Sequence, residues 1–119
     1  MKIVIVSGGF DPIHSGHIAY FEAAKDLGDI LVVALNSDRW LVEKKGKFFM
    51  PFEERKAIIE GLSSVDTVID FKDDEIGSAT NALIKVKEIY PNDDILFANG
   101  GDRNKENIPE MSVEGIEFL

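Results

Sequence analysis

The chain has 119 residues, a formal net charge of −9, 45% hydrophobic and 29% charged residues, and no cysteine. This suits one soluble domain with a real core and excludes disulfides, zinc–thiolate sites and a cysteine nucleophile. The acidic balance disfavours a general nucleic-acid surface. The longest apolar run, Ile30 to Leu35, is too short to span a bilayer, and the N-terminus carries no secretory pattern, so a cytoplasmic location without membrane contact is expected.

Lys2 to Ser7 is a β-branched run ending at Gly8-Gly9, which predicts a buried strand and a turn. Gly16 to Leu27 has helical spacing at Ile18, Phe21, Ala24 and Leu27, with Gly28 as the stop. Asp29 to Leu35 predicts a second strand, apolar in its middle and suited to a parallel sheet covered on both faces. Arg39 to Met50 is irregular and predicts a loop with a short helix. Pro51 to Leu62 predicts a helix with Ile58, Ile59 and Leu62 facing inward. A third strand follows at Asp66 to Phe71. Ser78 to Tyr90 predicts a helix with Ala82, Leu83, Val86 and Ile89 on one face. A fourth strand spans Asp94 to Ala98, a helical turn Pro109 to Glu114, and a fifth strand starts at Gly115. Strand and helix alternate throughout. The expected fold is therefore α/β, a Rossmann-like three-layer sandwich with a parallel sheet of about five strands. Ligands of such sheets sit beyond the carboxyl ends of the strands, which directs attention to Ser7 to His17, Asn36 to Arg39 and Asn99 to Arg103.

Arg39, Lys44, Lys45, Lys47, Arg55 and Lys56 outnumber Glu43, Glu53 and Glu54 in one window of this acidic chain. A compact anion such as a triphosphate fits that pattern; a solvated charged connection fits it equally. Both histidines of the chain, His14 and His17, fall in the loop after the first strand, with Gly16 between them. A spacing of three on a first helical turn puts both imidazoles on one side. The open amides of that turn favour an anion, and Gly16 allows another group to approach closely. Structural histidines, a metal pair and an acid/base pair are the competing readings. The strand–turn–helix context favours phosphate. No P-loop and no G-x-G-x-x-G follows the first strand.

Gly8-x-Phe10-Asp11-x-x-His14-x-Gly16-His17 resembles the signature of the cytidylyltransferase-like nucleotidyltransferase superfamily. Val33-Ala34-Leu35-Asn36-Ser37-Asp38, Lys44-Lys45-Gly46-Lys47, Pro51-x-x-Glu54-Arg55, Val65-Asp66-Thr67-Val68 and Gly100-Gly101-Asp102 follow in that family's order, so the likeness runs from Lys2 to about Glu110. The nearest branches are the glycerol-3-phosphate cytidylyltransferases and the heptose-phosphate adenylyltransferase domains.

The resemblance implies transfer of CMP or AMP from CTP or ATP to a phosphorylated small molecule, a sugar phosphate or glycerol 3-phosphate, with release of pyrophosphate. His14, His17, Lys44 and Arg55 are then expected to be catalytic. Gly8, Gly9, Phe10, Asp11, Gly16, Lys45, Asn99, Gly101, Asp102 and Arg103 are expected to bind the nucleotide. Mg²⁺ is expected through the triphosphate, with Asp11 as a candidate ligand; helix capping or bracing of the turn is the simpler role for Asp11. For Arg55 the simpler role is a surface ion pair with Glu54 or Asp38. Trp40 and Phe48-Phe49-Met50 either line the acceptor side or a dimer contact, or pack under the lysine loop. A homodimer is expected by resemblance. Residues 1–119 are expected to form one domain, without the Ser/Thr-led C-terminal helix of the family. A non-catalytic nucleotide-binding or regulatory module would keep the same fold, and a fragment of a class I aminoacyl-tRNA synthetase would share the His-x-Gly-His motif.

Overall fold

The apolar run at the start of the chain forms β1 (Lys2–Gly8), and the second forms β2 (Ile30–Leu35). The computed structural model describes residues 1–73, 79–98 and 116–118. Three shorter strands complete the sheet: β3 (Thr67–Ile69), β4 (Asp94–Phe97) and β5 (Ile116–Phe118). The order is β3-β2-β1-β4-β5, and every neighbouring pair is parallel. The chain winds outward from β1 to β3 and then returns to lay β4 against the other side of β1. The strand order thus reverses between β1 and β4, which opens a crevice at their carboxyl ends.

Alternation along the strands sorts the core into two layers. Val4 and Val6, with Leu31, Val33 and Leu35, pack against Phe21 and Ala24 of α1 (Ser15–Lys25) and Ile59 of α3 (Phe52–Glu60). Ile3 and Ile5, with Val32 and Ala34, pack against Ala82, Leu83 and Val86 of α4 (Thr80–Ile89). Successive strand residues point to opposite faces, so a run that is apolar at every position needs cover on both sides. The fold is the expected three-layer α/β sandwich.

The short helix expected between Arg39 and Met50 is present as α2 (Asp38–Lys45): the Ser37 hydroxyl caps the Trp40 amide, and Gly46, at φ 84°, ends it in the left-handed region. Other local expectations are corrected. Of the apolar residues expected to face inward from α3, Ile59 is fully buried and Ile58 is exposed, since neighbours on a helix point about 100° apart. Ile89, Ile18 and Leu27 are also exposed. The third strand is shorter than expected. Asp66, just before it, accepts the Leu31 amide (2.7 Å) and the Lys25 ammonium, tying the start of β2 to the end of α1. No described helix is long and apolar enough to cross a membrane.

Candidate functional site

His14 is the N-cap of α1. Its Nδ1 accepts a hydrogen bond from the Gly16 amide (3.0 Å), and the His14 amide donates to Nδ1 of His17 (3.1 Å). The two imidazoles form a reciprocal capping box. They stack with centroids 3.9 Å apart and planes at 27°. A ring nitrogen that accepts an N–H carries no proton, so both neutral rings hold theirs on Nε2. Each ring is therefore set as an Nε2–H donor. The expectation of one shared side holds. The open amides do not: those of His14 and Gly16 are taken up by the histidines. Burial, then His14 and Lys45, push His17 below the ordinary imidazole value of 6.5. Desolvation, the neighbouring imidazole and the Lys45 charge all disfavour its charged form.

Phe10 turns the chain from β1 into this site. It has φ 50°, a left-handed conformation that is costly for a bulky residue. The ring packs edge-on against Phe21 (4.9 Å) and His17 (5.1 Å), and this burial holds it in place. The neighbouring glycines make room for the protein's own atoms. A Cβ on Gly9 would meet Leu41 Cδ2 at 2.5 Å, and one on Gly16 would meet His14 Cε1 at 2.8 Å. Gly16 is thus required by the folded-back His14 ring, where the sequence suggested an approaching ligand.

Asp11 is almost fully buried, and both its carboxylate oxygens are engaged. Oδ2 accepts the Phe49 amide (2.6 Å) and Oδ1 the Met50 amide (2.8 Å). Its main-chain carbonyl accepts Lys45 Nζ at 3.0 Å. With both oxygens directed at amides, the Asp11 carboxylate does not fit the metal-ligand role. Among the described residues no cluster of three or more metal-ligating side chains forms. Lys45 is held on the turn that leads to the histidines and its charge acts on His17, whereas Lys44 Nζ lies 5.8 Å from the Trp40 ring of its own helix. Phe48 and Phe49 are exposed and do not pack beneath the lysine loop.

Arg55 has no exposed surface. Its Nε donates to Met50 O (2.9 Å), Nη1 to Gly9 O (2.9 Å) and Asn36 O (2.8 Å), and Nη2 to Asp38 Oδ1 (2.7 Å). Four of its five N–H groups are thus bonded within the protein. The expected ion pair with Asp38 is present, but the guanidinium lies buried and not at the surface. It binds the end of β1, the end of β2 and the residues before α3 into one unit.

Beyond β2 and β3 lies a cleft of about 370 Å³, lined by Leu35, Ser37, Asp38, Arg39, Phe52 and Asp70, with Phe71 at its edge. Ser37 also donates to Asp73 (2.6 Å). One position escaped the sequence reading: Tyr20 donates from α1 to the Ala98 carbonyl (2.6 Å), fixing the chain just past β4. Asn36, singled out at the end of the second strand, is buried there with its main-chain amide on Gly8 O. The expected nucleotide-binding residues Asn99, Gly101, Asp102 and Arg103, and the turn at Pro109 to Glu114, lie outside the described residues.

A doubly wound parallel sheet with two imidazole donors after its first strand, and a lysine from α2 held on the same turn, places the chain among α/β domains of the nucleotide-handling class. The cytidylyltransferase-like family model matches residues 5–113, and the chain belongs to that family of nucleotidyltransferases. It is 40% identical over 109 residues to the bifunctional protein HldE of Hahella chejuensis, covering 90% of this chain and 21% of that protein. The chain thus spans about a fifth of the length of the curated relatives it matches. Among solved structures, the lipopolysaccharide core biosynthesis protein from Thermoplasma volcanium superposes with a TM-score of 0.72 at 27% identity, over 99% of this chain and 93% of that one. Plasmodium falciparum nicotinic acid mononucleotide adenylyltransferase, complexed with NaAD, shares the fold at a TM-score of 0.59 and 18% identity, over 99% of this chain and 74% of that one.

Proposed function

We propose that this domain transfers a nucleotidyl group, AMP in the first instance and CMP as the other candidate, from its triphosphate to a sugar phosphate. The observation that carries this reading is the pair of imidazoles, each set by a backbone amide to present Nε2–H, with Lys45 alongside. An oxygen of the acceptor phosphate attacks the α-phosphorus, the bond from that phosphorus to the β-phosphate bridging oxygen breaks, and pyrophosphate leaves. Charge builds on the phosphate oxygens, where His17 and His14 donate hydrogen bonds from Nε2–H and Lys45 supplies positive charge. Fixed donors of this kind stabilise a transition state without reorganising, and holding both substrates in line supplies the rest. Magnesium carried by the triphosphate would add charge neutralisation. The cleft beyond β2 and β3 is the proposed acceptor side. Adenylyl transfer and a sugar phosphate are favoured by the resemblance to the heptose-phosphate adenylyltransferase domains, and a sugar acceptor also by the likeness to the Thermoplasma lipopolysaccharide core biosynthesis protein.

Calorimetric titration with ATP and with CTP in the presence of Mg²⁺ tests the reading, followed by pyrophosphate release with a panel of sugar phosphates and glycerol 3-phosphate. Binding of one nucleotide, weakened in His14→Ala, together with pyrophosphate release is the expected result. Binding without release for any acceptor would favour the non-catalytic module. Binding of neither nucleotide would remove the proposal.

A further inference from the structure

We propose that Asp11 is a positioning residue that places Lys45 beside the histidine pair. Resting on the phosphate-site reading above, the proposal assigns Asp11 no contact with the substrate. Its geometry runs in two directions from one residue. The carboxylate holds the amides of Phe49 and Met50, which fixes the 46–50 loop against the turn after β1. The carbonyl holds Lys45 Nζ, which fixes the end of α2 against the same turn. Both attachments lie on either side of Gly46, where the chain leaves α2 at φ 84°. A lysine on the last helical turn before a glycine bend has several exposed rotamers open to it. Tying its ammonium to the Asp11 carbonyl selects one, and tying the following loop to the Asp11 carboxylate keeps the helix end in register. Met50 is held twice, since Arg55 Nε takes its carbonyl.

This arrangement requires Asp11 to act through Lys45. In Asp11→Asn one carboxylate oxygen becomes an amide nitrogen, which cannot accept the Phe49 or Met50 N–H it faces. The Asp11 carbonyl remains, but with the 46–50 loop released the end of α2 leaves its register with that carbonyl, and the Lys45 charge that helps hold His17 neutral moves away.

The test compares the wild type, Asp11→Asn, Lys45→Ala and the double variant by two readouts. In the first, the His17 ring is titrated by NMR in the free protein. The midpoint is expected to move upward in Asp11→Asn and in Lys45→Ala, and no further in the double variant. His14, the other titratable group against that ring, serves as the internal comparison. In the second, inorganic tripolyphosphate is the ligand. Each single variant is expected to weaken it by roughly tenfold, the scale of one charge-assisted contact, with the double variant no weaker than Lys45→Ala. Additive losses, or a His17 midpoint that stays at the wild-type value in Asp11→Asn, would overturn the proposal. Should Asp11→Asn not fold, amide hydrogen exchange of the wild type decides: slow exchange at Phe49, whose side chain is 70% exposed, supports the clamp, and fast exchange there removes it. If wild-type protein fails to bind tripolyphosphate, the nucleotide reading is lost, while the His17 titration still judges the clamp.

Discussion

Replacing Arg55 with alanine removes the donor from three main-chain carbonyls, those of Gly9, Asn36 and Met50, and from the Asp38 carboxylate. A buried acceptor left without its donor costs about 1–3 kcal/mol. Asp38 keeps about a third of its surface in water, so its loss is softened by solvent. The carbonyls dominate, and because they belong to one network their costs do not simply add. A total of about 3–5 kcal/mol is expected, in line with breaking a buried ion pair. Against a whole-domain stability of roughly 5–15 kcal/mol, that is a large fraction. Urea unfolding followed by circular dichroism would show it as a lower midpoint with an unchanged slope. Arg55→Lys should recover part of the loss, since an ammonium keeps the charge but not the planar fork. An Arg55→Ala variant that keeps its stability within about 0.5 kcal/mol while losing triphosphate affinity would refute the reasoning. Arg55 would then be a direct phosphate ligand, as the family resemblance implied.

His17→Ala should cut pyrophosphate release by roughly a hundredfold, the scale of a lost oxyanion donor, while the far-ultraviolet spectrum stays native; near-normal turnover would contradict its role. Gly16→Ala should leave the melting temperature little changed, because alanine's helix preference of about 1 kcal/mol offsets the crowding of His14 Cε1 at 2.8 Å. The displaced ring should nevertheless weaken nucleotide binding severalfold, and unchanged affinity would show that the folded-back His14 ring is not needed. His17 also makes stability depend on pH. Its folded-state value lies below its ordinary 6.5, so the unfolded chain takes up its proton first as pH falls. The contribution is full above 6.5 and declines as pH drops from there towards the folded-state value. Urea midpoints measured across that range should fall less in His17→Gln than in the wild type.

Much of the fold was legible because its signals are local and repeat along the chain. β-branched runs at Lys2 to Ser7 and Asp29 to Leu35, separated by a helix-spaced segment, admit few arrangements other than a parallel sheet covered on both faces. The histidine pair was legible for the same reason, since a spacing of three on a helix start places two rings together whatever surrounds them. Helix faces were read less well: Ile58 and Ile89 match an apolar pattern yet lie at the surface. Which apolar residues of a mixed face are buried depends on how the helix is rolled against the sheet.

The sequence by itself determined the alternation of strand and helix, the loop that carries His14 and His17, and the family to which the motifs belong. Only the tertiary structure decided what the charged residues around that loop do. Asp11 and Arg55 are conspicuous in the sequence as a carboxylate and a cation near a phosphate motif, and contact with a ligand is the natural reading. In the fold each is buried and bonded to main-chain groups, most of them distant in sequence: Asp11 to Phe49 and Met50, Arg55 to Gly9 and Asn36 and to nearby Met50. Those partners are backbone atoms, which every residue type carries, so no pattern of side chains announces them. Likewise the choice of Lys45 over Lys44 beside the histidines rests on the direction in which the last turn of α2 faces, a matter of where the helix docks.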